Sequence, residues 1–291
     1  MRVGFITPIV WERYGPVWAQ MIAGVGAEPV SPEPARVLEA ASSLASDQGT
    51  LALLARASLR ALRDVDLVLV PKLLPDSQAA TGAAQDPWVA DLPEMLERFE
   101  SARAPLVAVP CETGPSVEPQ VIEVLTRVQR DVGLVRRAWD RHRVAASRPW
   151  SPRSVGRGTV GDRSARNVAL AGMPWWCNEP VARLLRREGE VLSGQHQVDP
   201  AVLRDEGRRW RSGLSDVDAE ALGAVRRFGR RADVDAVRLV VDAASQAEAW
   251  LARRAAELAP DRLEVVALGD ALDLETLVQA LVPADLLPAG S

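Results

Sequence analysis

The chain reads as an α/β protein of two similar lobes, each with a mainly parallel sheet of about four strands flanked by helices, and with a cleft between the lobes. Three observations predict this. The two halves open alike: Arg2-Val3-Gly4-Phe5-Ile6-Thr7-Pro8 and Asn167-Val168-Ala169-Leu170-Ala171-Gly172-Met173-Pro174 are each a short apolar run passing into a Gly/Pro-bearing loop. Each is followed by aromatic residues (Trp11, Tyr14 and Trp18; Trp175 and Trp176), a helical stretch closed by a glycine (Gly26; Gly189), and a further strand at Glu28-Pro29-Val30 or Glu190-Val191-Leu192. The strands are continuous apolar runs separated by helices, the pattern of a parallel sheet covered on both faces.

The elements follow in order. Val3–Ile6 is a buried strand, Thr7–Trp18 an aromatic loop, and Val17–Val25 a helix stopped by Gly24 and Gly26. Arg36–Ala45 and Leu51–Leu62 carry helical periodicity. Val65-Asp66-Leu67-Val68-Leu69-Val70 is a strand that stops at Pro71. Asp91–Arg103 is a helix, Pro105–Val109 a strand closed by Pro110, and Pro119–Asp140 one long amphipathic helix. After the midpoint, Val168–Ala171 is a strand and Pro180–Arg187 a helix. Leu203–Leu214 and Ala219–Phe228 are helices, and Val234–Val241 is a strand with the same Val-Asp opening as Val65–Val70. Ala244–Leu258 is a helix, Arg262–Leu268 a strand and Leu274–Leu281 a closing helix. The stretch between, rich in Pro, Ser, Gly and Arg, has no apolar period and reads as a linker; it includes the glycines Gly156 to Gly161. The expected organisation is therefore an N-terminal lobe at 1–146, a linker at 147–166 and a C-terminal lobe at 167–291.

A length of 291 residues gives room for two such lobes. A net charge of −4 argues against a nucleic-acid surface, and the basic stretch Arg136 to Arg153 reads as a solvated face. No apolar run reaches the ~18 residues of a membrane span. The chain opens directly into a strand rather than a signal peptide, so a cytoplasmic location away from membranes is expected. Cys111 and Cys177 are too few for a disulfide framework or a four-cysteine zinc site, and two histidines add little. Metal and cofactor are expected to be absent. No dinucleotide-binding GxGxxG, phosphate-binding GxxxxGK[ST] or metalloprotease HExxH motif is present.

In such Rossmann-like sheets ligands bind outside the carboxyl ends of the strands. That rule selects the loops Thr7–Trp18, Pro71–Asp76, Pro110–Pro115, Gly172–Asn178 and Asp242–Ser245. The candidate ligand-binding residues are Thr7, Trp11, Tyr14, Lys72, Cys111, Glu112, Trp175, Trp176, Cys177, Asn178 and Asp242. The aromatic residues either stack on a planar ligand or pack the lobes together. Lys72, the sole lysine, either meets a phosphate or carboxylate or is an ordinary surface residue. Each cysteine is either a small buried hydrophobe or a thiol activated near a helix N-terminus.

Several stretches together resemble the 2-hydroxyacyl-CoA dehydratase D-component family and the domain associated with CoA-enzyme activases. Val3-Gly4-Phe5-Ile6-Thr7-Pro8 with Tyr14-Gly15-Pro16-Val17-Trp18 is similar to that family's opening strand and helix start. Gly24-Val25-Gly26-Ala27-Glu28-Pro29-Val30-Ser31 resembles its second strand, Val65–Pro71 its Val-Asp strand, and Leu170-Ala171-Gly172-Met173-Pro174-Trp175 the opening of its second lobe. The resemblance implies two Rossmann-like lobes, a small anionic or acyl-CoA-like ligand in the cleft, and a homodimer or paired subunit. In catalytic members it also implies a [4Fe–4S] cluster charged by an ATP-driven activase. The expected ligand positions here read Asp47-Gln48-Gly49, Ala84-Gln85-Asp86-Pro87 and Val241-Asp242-Ala243, with no cysteine in any of them. The expectation is a dehydratase-like protein without that cluster. A metal-free enzyme with a cysteine nucleophile and a non-catalytic interaction subunit are the alternatives.

Overall fold

A computed structural model describes residues 1–45, 48–74, 82–152, 165–283 and 285–287. Asp47, Asp76 and the Gly156–Gly161 part of the linker lie outside the described residues. In the first lobe, β1 (Arg2–Phe5), α1 (Trp11–Gly24), β2 (Glu28–Val30), α2 (Pro34–Ser42), α3 (Thr50–Ala61) and β3 (Leu67–Lys72) follow in turn. Next come α4 (Pro87–Ala90), α5 (Leu92–Phe99), β4 (Leu106–Pro110), α6 (Glu118–Val128) and α7 (Val132–Ser147). The second lobe holds β5 (Arg166–Gly172), α8 (Glu179–Leu185), β6 (Glu190–Gly194), α9 (Pro200–Trp210) and α10 (Asp216–Gly229). It closes with β7 (Ala236–Val241), α11 (Gln246–Leu258), β8 (Leu263–Ala267), α12 (Leu268–Ala271) and α13 (Leu274–Leu281).

Both sheets are parallel throughout, and their strand orders match: β2-β1-β3-β4 and β6-β5-β7-β8. The fold is thus the expected pair of Rossmann-like α/β units. The repeat extends to single hydrogen bonds. Asp66 accepts the backbone N–H of Arg2 at 2.7 Å, and Asp235 accepts that of Asn167 at 2.7 Å. Each aspartate therefore ties the third strand of its lobe to the start of the first, which gives the repeated Val-Asp pair its physical reason. The turn before each second strand is made by a glycine at positive φ, Gly26 at 81° and Gly189 at 75°, where a Cβ would be strained.

Three details differ from the sequence expectation. The aromatic segment Trp11–Trp18 is the first half of α1, not a loop; its interior Pro16 hid the helix. Trp11 lies over Gly15, where an added Cβ would come within 2.0 Å of the indole. The helix expected over Pro119–Asp140 is two helices, because Asp131 accepts the N–H groups of Gly133 and Leu134 and starts a new one. β3 runs through Pro71 to Lys72. The ladder with β1 ends at Leu69, so the N–H that Pro71 lacks falls where that neighbour has stopped.

The helix α10 is buried at every position from Val217 to Val225, between its own sheet and the first lobe. Its crossing with α9 is backbone to backbone. A Cβ on Gly223 would lie 1.8 Å from the Leu203 carbonyl, and one on Gly207 would lie 2.1 Å from that of Ala219. Among the described residues no helix is long and apolar enough to cross a membrane.

Candidate functional site

The carboxyl ends of β3, β4 and β5 meet α1, α9 and α10 around a cavity of about 510 Å³. Its apolar wall comes from Leu73, Leu74, Val109, Pro174, Trp175 and Val217. Its polar end holds Lys72, Arg13, Arg204, Glu112 and Asp216, with Cys111 beside them. Two positions from the first lobe's strand ends (Lys72 and the Cys111-Glu112 pair) thus face Trp175 from the second.

The polar end is a four-membered charge network across the lobes. Arg13, on α1, donates to Glu220 of α10 through both terminal nitrogens, Nη1 at 2.9 Å and Nη2 at 2.5 Å. Nη1 also donates to Glu112 Oε1 at 2.8 Å. Arg204, on α9, donates to the same Glu112 oxygen and to Glu220 Oε2 at 3.3 Å. Gln195 donates to Glu220 at 3.0 Å and accepts the N–H of Gly172, which couples the network to the end of β5. Burial pushes the Glu220 carboxyl up, but the two guanidinium groups outweigh it and hold the group below the usual carboxylate range. The Trp150 ring lies 5.2 Å from the Arg13 guanidinium and covers it further.

Two more carboxylates of the second lobe reach backbone N–H groups of the first. Asp218 accepts the N–H of Ala83 at 3.1 Å and the Ser215 hydroxyl at 2.6 Å. Asp242 accepts the N–H of Thr50, so it caps α3 from the other lobe where the helix's own Gly49 has no side chain to do so. Glu248 holds Asp242 in place by accepting its N–H at 2.6 Å, and it also accepts the Trp176 indole N–H at 2.9 Å. With the Arg13–Glu220 pair, these ties fix the lobes against each other.

Burial pushes Asp218 up to about 6 and Glu248 up to about 8, the hydrogen bonds they accept offsetting only part of it. The folded Glu248 keeps its proton up to about pH 8, whereas the unfolded group loses it near the ordinary 4.5. The folded state therefore binds more protons in that window, and stability falls as pH rises. This group alone removes about 2 kcal/mol between pH 6 and pH 8. In Glu248→Gln that increment should be absent. Urea unfolding of both proteins at the two pH values measures it, and equal slopes would show that Glu248 does not carry the proton.

Of the expected ligand-binding residues, Lys72, Cys111, Glu112 and Trp175 line one cavity. The others are placed elsewhere. Thr7 and Tyr14 are fully buried, and the Tyr14 hydroxyl donates to the Ile6 carbonyl at 3.1 Å. Trp11 packs edge-on against Phe5 and Tyr14, and Trp176 packs edge-on against Trp175. The aromatic residues pack the core and the lobe interface, and only Trp175 also reaches the cavity. Asn178 caps α8 by accepting the Val181 N–H at 3.0 Å. Asp242 is spent on Thr50.

The cysteines are held as thiols. Burial, aided by Glu112, pushes Cys111 up to about 12, and burial pushes the fully enclosed Cys177 well above the usual thiol range. Iron–sulfur clusters bind thiolates. Two protonated thiols, with Asp242 at the third strand end already committed, do not fit a [4Fe–4S] cluster. Among the described residues no group of three or more His, Cys, Asp or Glu side chains is placed to hold a metal ion.

Arg13, Arg204, Glu220 and Gln195 were not among the residues singled out from the sequence. A chain in which nearly every cation is arginine hides the two that matter, and Glu220 reads as one more acid on a helix. The usable signal was Asp218 and Glu220 inside the small-residue run Val217–Val225, with Ala219 and Gly223 four apart: acids on a helix whose other residues call for complete burial. No protein-family model matches the chain, and no curated protein matches it.

Proposed function

We propose that this protein binds a small anionic ligand with an apolar body, such as a short carboxylic acid or an acyl-CoA-like ester whose acyl end carries a carboxylate, in the cleft between its lobes. In this reading it is a dehydratase-like protein that lacks the iron–sulfur centre. The observation that carries the reading is the division of one cavity into an apolar wall and a charged end, where Lys72, Arg13 and Arg204 stand with Glu112 and Asp216. Its volume, about 510 Å³, falls in the range of small-molecule sites and takes an acyl group and its thioester, leaving the nucleotide of a CoA ester outside. The arrangement orients an anion, excludes water from its apolar part, and offers no activated nucleophile: Cys111, the cleft thiol, stays protonated at neutral pH.

Trp175 lines the cleft and reports occupancy by fluorescence. Titration with glutaryl-CoA, hexanoate and hexanol should change the emission for the two carboxylates and not for the alcohol. Lys72→Met should weaken anion binding by about tenfold, equivalent to ~1.4 kcal/mol. If neither anion binds at millimolar concentration, the reading is wrong.

A further inference from the structure

We propose that Glu112 is a built-in carboxylate that occupies the anion-binding position of the cleft and is displaced by the carboxylate of the ligand. The proposal rests on the cleft reading above and goes beyond it by naming the ligand's anionic group and the place where it docks.

The two acids of the charge network are not equivalent. Glu220 lies on α10, is completely buried, and is bonded by Arg13, Arg204 and Gln195 through both oxygens. Glu112 lies on the loop that follows β4, keeps 23% of its side-chain exposure and lines the cavity. Arg13 and Arg204 both donate to its Oε1, while no hydrogen bond to its Oε2 is made among the described residues. One acid is built into the scaffold; the other is a carboxylate on a movable stem, held from one side by two guanidinium groups.

The guanidinium groups also have capacity to spare. The Nε–H groups of Arg13 and Arg204 are buried and have no acceptor among the described residues, and the Arg13 side chain is only 4% exposed. A buried donor without an acceptor is costly, and here two of them belong to residues lining the same cavity. With Glu112 in place, two arginines face two glutamates and the network is neutral. If Glu112 swings out toward solvent, Arg13 and Arg204 keep Glu220 and the network carries one net positive charge, with Lys72 and Asp216 on the same cavity. A ligand carboxylate restores the balance with the geometry that Glu112 already demonstrates, and the apolar wall takes its tail. Two guanidinium groups converging on one carboxylate oxygen suit an anionic oxygen acceptor.

The test uses the full-length protein and hexanoate as probe, with hexanol and inorganic phosphate alongside. Glu112→Ala should bind hexanoate about tenfold or more tightly than wild type, and Glu112→Gln by a smaller factor. Hexanol should change the emission of none of the three proteins. The gain should vanish when Arg204→Met is added to Glu112→Ala. If Glu112→Ala does not fold, Glu112→Gln against wild type still decides the matter. Hexanoate binding that is equal or weaker in the variants would remove Glu112 as the competitor and leave the cleft reading standing. Phosphate binding as tightly as hexanoate would overturn the assignment to a carboxylate. Absence of any anion binding in wild type and variants alike would overturn the cleft reading and this proposal with it.

Discussion

Glu220→Ala should cost about 3–5 kcal/mol of unfolding free energy, a large part of what a domain of ordinary stability has. The carboxylate is fully buried and accepts from both terminal nitrogens of Arg13, whose side chain is itself only 4% exposed. Removing it leaves Arg13 with Glu112 alone and Arg204 with the same single partner. The penalty is that of an uncompensated buried charge, not of one missing bond. The paired substitution Arg13→Met with Glu220→Leu removes both charges and should recover most of the loss, because replacing a buried ion pair by apolar residues of similar volume is often close to neutral. Guanidinium chloride unfolding of the single and double variants measures the coupling. A single-variant loss below about 1 kcal/mol would show that the pair does not hold the lobes together.

Gly223→Ala should be nearly as damaging, for a different reason. Its Cβ would stand 1.8 Å from the Leu203 carbonyl oxygen, and that neighbour is helix backbone, which cannot turn aside as a side chain can. The α9–α10 pair must separate to admit one methyl group. Overpacking of this kind ordinarily costs about 1–3 kcal/mol, and a backbone obstruction puts this case at or above the upper end. The displacement also moves Arg204, which sits on α9 one residue beyond Leu203 and donates to both glutamates of the network. Thermal unfolding should therefore show a large drop in Tm, and the folded fraction should bind hexanoate differently from wild type. An unchanged Tm would mean that the two helices are not in backbone contact. Both substitutions act on α10, the helix buried at every position from Val217 to Val225.

The inner strands β1, β3, β5 and β7 were legible because they are largely apolar runs, as burial on both faces of a parallel sheet requires, whereas β2 and β6 were legible only from the repeat. The repeat was legible in the Val-Asp pairs, and Asp66 and Asp235 do make the same contact in the two lobes. Helix α1 was misread at its start because Pro16 and Gly15 are breaker residues by local propensity, yet tertiary packing of Trp11, Tyr14 and Trp18 keeps the segment helical. The break at Asp131 was missed because a single capping side chain leaves the apolar period on either side of it intact. Within the cleft, Lys72, Cys111, Glu112 and Trp175 were found by the rule that sites lie beyond strand ends. That rule is blind to side chains that arrive from the middle of helices, as Arg204 and Glu220 do, while Arg13 lies inside the selected Thr7–Trp18 stretch but carries no signal that sets it apart from the other arginines.

By itself the sequence determined two doubly covered parallel sheets, their repeated order and the strand ends that meet at the cleft, because these follow from local burial pattern and chain connectivity. Only the tertiary structure decided which charges face one another. Arg13 and Glu220 are 207 residues apart in the chain, and no periodicity carries information about a partner at that distance. The docking of the lobes brings them within 2.5 Å and buries both, so their charges are satisfied by the protein groups around them and not by solvent.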